Sequence, residues 1–164
     1  FSKHRIKEIA PRVLDHYKID PNQIKLCLGS FYNLNIEENS LDIVILCQAF
    51  HHAEYPDKLL SEIRRVLKQN GNILIIGEHY FNIFSISKRI IKHFIKWAIN
   101  YKNSKSKSRF LPCWQSLFPP SKEKGDIHYS KSQYTMIFAN NGYKHNRYIF
   151  NNLKNQAFLL TLKQ

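Results

Sequence analysis

The stretch ENSLDIVILCQAFHH, Glu38–His52, decides how the chain is read. A polar turn leads into the run IVILC, which is apolar at every position and does not alternate. Such a run suits a strand buried on both faces, as in a parallel sheet, rather than one with a wet face. Two adjacent histidines, His51 and His52, follow at its end and raise the question of metal or proton-transfer chemistry.

Working outward, NILIIGEHYF (72–81) is a second strand of the same kind. Between the two, residues 56–69 carry Leu59, Leu60, Ile63, Val66 and Leu67 at helical spacing. Pro56 and Asp57 suit the first turn of that helix, and Asn70-Gly71 its stop. Strand, helix and strand at this spacing make a βαβ unit with a right-handed crossover. Upstream, IKLCLGSF (24–31) reads as a further short strand, DPN (20–22) as a turn, and residues 3–18 as a helix that Pro11 restarts.

Beyond residue 81 the character changes. Ile83, Ile86, Ile90, Phe94, Trp97 and Tyr101 recur every three or four residues beside Lys88, Lys92 and Lys96, which predicts an amphipathic basic helix whose apolar stripe packs on the sheet. KNSKSKSR (102–109) is a polar linker, and residues 110–126 form an aromatic, proline-rich loop. SKSQ fits a capping box at the start of a helix over 130–141, which NNG ends. KHNRYIF and AFLLTLK then read as an antiparallel pair. The expected fold is α/β, with a mostly parallel sheet and a C-terminal antiparallel hairpin.

The 164 residues suit one domain, and 43% apolar with 23% charged residues is a globular composition. Three cysteines, Cys27, Cys47 and Cys113, form no C-x-x-C pair, and an odd count suits a reducing compartment. The expected location is cytoplasmic, since the apolar run at 90–99 is broken by Lys92, His93 and Lys96 and no segment qualifies as a spanning helix. The net charge of +13 falls entirely in the second half: residues 81–164 hold fifteen Lys or Arg against Glu123 and Asp126. That asymmetry is one a nucleic-acid or anionic membrane surface shows, through the basic 83–109 segment. Eighteen lysines to seven arginines is equally the mark of a lysine-favouring composition, because phosphate sites favour the bidentate fork of arginine.

In an open parallel sheet, ligands bind outside the carboxyl ends of the strands. That rule selects Gly29-Ser30-Phe31, Cys47 to His52, and Glu78 to Phe81. His128 and Tyr129, just before the late helix, are further candidates, since a helix start favours an acceptor or anion nearby. His51 and His52, as neighbours on an extended segment, are expected to point to opposite sides, and no Cys/His spacing supplies further zinc ligands, so no metal is expected. At most one of them is expected to carry a proton, the other being a rim residue.

NSLDIVILCQAFHH followed by LLSEIRRVLKQNGNILIIGE resembles the second half of a class I S-adenosylmethionine-dependent methyltransferase of the type 11 kind, and the distal GDIHYSKSQYTMIFANNGY resembles that family's late helix, glycine and closing hairpin. Leu41, Gln69 and Asn70 depart conservatively from the family's Phe, Pro and Gly. The resemblance implies a Rossmann-like fold with helices on both sheet faces, S-adenosylmethionine as cofactor, and methyl transfer to a small-molecule acceptor. It implies cofactor contacts at Ser30 and Phe31 for the adenine, and at Cys47 and Gln48 for the methionine end. It places the substrate near His51, His52, Glu78, His79, His128 and Tyr129.

The five glycines include no G-x-G, the turn on which these enzymes hold the cofactor. The expectation is therefore an N-terminally truncated domain, inactive alone: residues 1–81 the remaining core, 82–128 a basic helix and aromatic loop forming a lid, and 129–164 the closing helix and hairpin. The competing expectations are a basic RNA- or anionic-membrane-binding module on an α/β scaffold, and a dinucleotide dehydrogenase. The resemblance names neither a particular acceptor nor an oligomeric state.

Overall fold

In the computed structural model, residues 3–81, 83–103, 114–120, 125–150 and 154–163 are described. The chain divides into two units, Phe1–Glu37 and Glu38–Gln164. The expected linker from 104 onward, the start of the aromatic loop with Cys113, residues 121–124, and the hairpin turn at 151–153 lie outside the described residues.

In the first unit a π-helical segment, Arg5–Ile9, runs into helix α1, Ala10–His16. Pro11 stands in the first turn of α1, where its missing N–H costs nothing, so the helix restarts where the sequence places it. Asp20 caps the short 3-10 turn Pro21–Gln23 by accepting from the Asn22 N–H at 2.9 Å. The strand expected over 24–31 is not formed. A strand exists only with a neighbouring ladder, and here there is a single bridge, Ser30 to Asn33, while Ile24, Leu26 and Leu28 are exposed.

The second unit carries a four-stranded sheet in the order β1-β2-β4-β3. Its strands are β1, Leu41–Cys47; β2, Leu67–His79; β3, Tyr143–Phe150; and β4, Asn155–Leu162. Helix α2, Pro56–Val66, makes the crossover that lets β1 and β2 run parallel, whereas β2–β4 and β3–β4 are antiparallel. The described sheet is therefore mixed, with parallel pairing confined to β1 and β2. The helix ends at Val66, three residues before the expected 69. Leu67 is already extended and pairs with Leu41, so this member of the helical stripe is buried as part of the sheet instead. Asn70-Gly71 lies where the β1–β2 register shifts, and a Cβ on Gly71 would meet the Leu67 side chain at 2.6 Å.

One sheet face packs against α2 and α5, the helix Lys131–Asn140. Ile73, Ile75, Phe158 and Leu160 from the strands are fully buried with Leu59, Leu60, Ile63, Tyr134 and Phe138 from the helices. At about 25 cal/mol per Å2 of apolar surface, burial of this kind is the main stabilising term. The capping box at α5 forms as the sequence predicts. Ser130 Oγ accepts from the Gln133 N–H at 3.3 Å, and Gln133 Oε1 accepts from the Ser130 N–H at 2.7 Å. On the other face, Ile43 and Ile45 of the edge strand β1 are 49% and 56% exposed.

The basic helix, α3, spans Ile83–Asn103, close to its predicted limits, and a short helix α4 spans Trp114–Leu117. The expectation that the α3 stripe packs on the sheet does not hold among the described residues, because Ile83, Phe94 and Trp97 are exposed. Instead Arg89 ties α3 to α4: its Nη1 donates to the Leu117 carbonyl at 3.0 Å and its guanidinium lies 4.4 Å from the Phe118 ring centre.

Candidate active site

The site is built at the carboxyl ends of the two parallel strands. At the tip of β1, Gln48 adopts a left-handed backbone with φ of 48°, and its N–H donates to the Ile76 carbonyl at 2.8 Å. A non-glycine residue held in this region is strained by about 1–3 kcal/mol and persists where the surroundings fix it. Opposite it, Gly77 has φ of 80°, and a Cβ there would meet Gln48 Cγ at 2.7 Å. The chain crosses at this point closely enough that only glycine fits.

Gly77 also carries a bulge. Ile75 pairs with Phe158 and Glu78 with Gln156, so β2 uses three steps where β4 uses two. The extra residue turns Glu78 to the face on which Ile75 is buried. There Glu78 is 0% exposed and takes three donors: the Phe50 N–H at 3.2 Å, His51 Nδ1 at 3.2 Å, and the Tyr134 hydroxyl at 2.8 Å. The hydrogen bond that His51 makes to Glu78 raises the pKa of His51 above its usual value, against the opposing pull of burial. Burial first, and the Glu78 charge second, push the Tyr134 phenol well above its usual value. The arrangement is a buried carboxylate held by one imidazole and one phenol.

His51 and His52 do not point to opposite sides as expected. Phe50–His52 is a 3-10 turn rather than an extended segment, and the two rings lie 4.3 Å apart. Asp126 faces His52 Nδ1 at 3.3 Å, and ligand atoms of His51, His52 and Asp126 all lie within 4.8 Å of one another. These three and Glu78 form two imidazole–carboxylate pairs, His51 with Glu78 and His52 with Asp126. The Ile127 N–H donates to the His51 carbonyl at 2.8 Å, fastening the segment before α5 to this turn.

His79 is exposed at the β2 tip, its ring 5.2 Å from His51 and 5.3 Å from His128. His128 has its pKa lowered, by burial first and then by the neighbouring His79 and Arg89 charges, which keeps it neutral near pH 7. Tyr129 donates its hydroxyl to the Ala53 carbonyl at 2.8 Å. Thus His51, His52, Glu78, His79, His128 and Tyr129 are brought to one end of the second unit. Cys47 and Gln48 stand exposed at the adjacent strand tip. Ser30 and Phe31 belong to the first unit, where Ser30 Oγ accepts from the Tyr32 N–H at 3.2 Å and the Phe31 ring meets Tyr32 edge to face.

A cavity of about 470 Å3 opens beside these residues, lined by His79, Phe81, Trp114, Tyr129, Arg147 and Gln156 among others. Its size is that of a small-molecule site. Tyr134, Trp114, Arg147 and Gln156 are the functional candidates that sequence reading missed. Gln156 left one signal: in NQAFLL it takes the phase of Phe158 and Leu160, a polar residue on an apolar stripe.

The family model for a methyltransferase domain matches residues 6–75. An uncharacterized protein of Methanocaldococcus jannaschii is 30% identical over 150 residues, covering 82% of this chain and 64% of that protein. Among solved structures, a SAM-dependent methyltransferase of Aquifex aeolicus superposes with a TM-score of 0.60 at 13% identity, over 99% of this chain and 65% of that one. A SAM-dependent methyltransferase of Methanosarcina mazei superposes with a TM-score of 0.57 at 12% identity, over 97% and 80%. The fold is that of the class I SAM-dependent methyltransferases. The chain spans just under two thirds of the length of the curated relative that it matches.

Proposed function

We propose that this chain serves an S-adenosylmethionine-dependent methyltransferase acting on a small-molecule acceptor. The observation that carries the reading is the strand-end site: the strained Gln48 tip and the buried Glu78 network beside a cavity of about 470 Å3, at the carboxyl ends of parallel strands. The proposed cofactor contacts are Cys47 and Gln48 at the methionine end, and Ser30 and Phe31 at the adenine. The donor set is compatible with that role, since Gln48 is exposed at the tip with a carboxamide able to donate to a carboxylate. When bound, the cofactor supplies a methyl group already activated on a sulfonium, so alignment does much of the work.

His79 at the cavity wall, and His51 behind it on Glu78, are the proposed route for a proton leaving the acceptor. The α3–α4 pair, joined through Arg89, contributes Ile86 and Trp114 to the cavity wall, which supports a lid that excludes water. The test is thermal unfolding with and without S-adenosylmethionine: binding to the native state raises Tm with ligand concentration, and no shift at millimolar cofactor sinks the reading.

The exposed apolar and basic side chains of α3 favour one second reading, an interfacial helix on an anionic membrane. Sedimentation with phosphatidylserine vesicles separates the two, because vesicle binding fades steeply with salt whereas cofactor binding barely responds.

A further inference from the structure

Three features of the cavity remain without a task. Gln156 is 3% exposed and lines it. The Gln156 Nε2 donates to the His79 carbonyl at 2.7 Å, which fixes the orientation of the amide because a carbonyl only accepts. Its Oε1 is therefore an acceptor, buried and without a hydrogen-bond partner among the described residues. Arg147 has the complementary defect: its Nη1 is shielded from solvent and has no acceptor among the described residues. Arg147 pairs with Phe158 and Ile149 with Gln156, so Arg147 and Gln156 are diagonal neighbours on one face of the β3–β4 ladder. Buried polar groups left unpaired cost about 1–3 kcal/mol each, which is why native proteins rarely keep them without a ligand or water in view.

The charge of the wall points the same way. Lys131 and Arg147 both line the cavity, and no Asp or Glu among the described residues does. Lys131 opens α5, whose first turn holds no acidic residue, although a helix start repels a cation. An anion seated between Lys131, the α5 start and Arg147 would relieve both positions. The nearby carboxylates cannot serve, because Glu78 is taken by Phe50, His51 and Tyr134, and Asp126 faces His52. The remaining wall is aromatic, with Tyr80, Phe81 and Trp114, and the Arg147 guanidinium lies 5.4 Å from the Tyr80 ring centre.

We infer that the cavity selects a small organic acid: an oxyanion held by Arg147 and Lys131, an aromatic body against Phe81 and Trp114, and a hydrogen-bond donor received by Gln156 Oε1. The inference rests on the methyltransferase reading only for the role of that acid as methyl acceptor; the selectivity itself is a property of the wall.

The probes are 4-hydroxybenzoate and its neutral isostere 4-hydroxybenzamide, titrated by calorimetry against the unmodified chain, R147Q and K131Q. The expected result is a preference for the acid of about tenfold, the scale of one charge-assisted hydrogen bond. R147Q should reduce that preference to about twofold or less, and K131Q should reduce it in part. Each variant is accompanied by a thermal unfolding curve. Should R147Q fail to fold, K131Q on the exposed first turn of α5 decides, and an unchanged preference there overturns the inference. Equal affinity for acid and amide, binding of neither, or a preference that survives both substitutions also overturns it. Acid selectivity without a Tm response to S-adenosylmethionine removes the methyltransferase reading and leaves the wall assignment standing. A Tm response without selectivity does the reverse.

Discussion

Glu78 accepts three hydrogen bonds in a place water does not reach, and its environment makes stability depend on pH with a definite sign. His51 has a raised pKa in the folded state, chiefly through its hydrogen bond with Glu78. The stabilisation from that pairing is full below the unfolded value of about 6.5 and is lost as pH rises through the raised folded value. The difference in urea-unfolding free energy between the unmodified chain and E78Q should therefore be larger at pH 6 than at pH 9, and a gap independent of pH would refute the pairing. Gly77 makes a second residue-scale prediction. G77A meets both a left-handed backbone and the Gln48 side chain, and should cost about 1–3 kcal/mol in the same assay. The place of Glu78 and His79 at a strand end was legible, because NILIIGEHYF reads as a strand. The burial of Glu78 was not. It depends on a bulge, and a bulge has no signature in a run such as ILIIGEH beyond a glycine that could serve many ends.

At the scale of elements, α5 shows how local chemistry and tertiary packing agree. Ser130 and Gln133 cap one another, and Tyr134 and Phe138 bury the inner face. Phe50, Phe138 and Phe158 meet as a cluster, with ring centres 5.5 Å apart for the first pair and 5.2 Å for the second. S130A should lower stability by about 1 kcal/mol, the usual worth of an N-cap, and the loss should appear as faster amide exchange over the first turn. The capping box, the βαβ crossover and the closing hairpin were all readable because each is written locally, in a cap, a periodicity or a pair of apolar runs. Two elements were not. The helix end moved from 69 to Val66 because Leu67 gains more by joining β2 than by extending the stripe. The strand over 24–31 failed because an apolar run states a preference, and only a neighbouring ladder fulfils it. The turn at Phe50–His52 is the same lesson on a smaller scale, since three residues of 3-10 geometry reverse the expected divergence of two imidazoles.

At the scale of the molecule, β1 and β3 are the two edge strands of the described sheet, and β1 leaves Ile43 and Ile45 exposed. Edges of this kind promote self-association. I45K should leave the unfolding free energy within about 0.5 kcal/mol and lower concentration-dependent light scattering, and an equal tendency to associate would show that the edge is not responsible. The bulge at Gly77 has a further consequence for how this sequence tolerates change in length. It acts as a phase shifter: up to Ile76 the inward positions of β2 are odd-numbered, and from Glu78 they are even-numbered. Losing one codon there would return β2 to plain alternation with the carboxylate still opposite Gln156 on the inner face, whereas keeping the codon and losing the bulge would send the carboxylate out to the opposite face and strand the imidazole and phenol that wait for it.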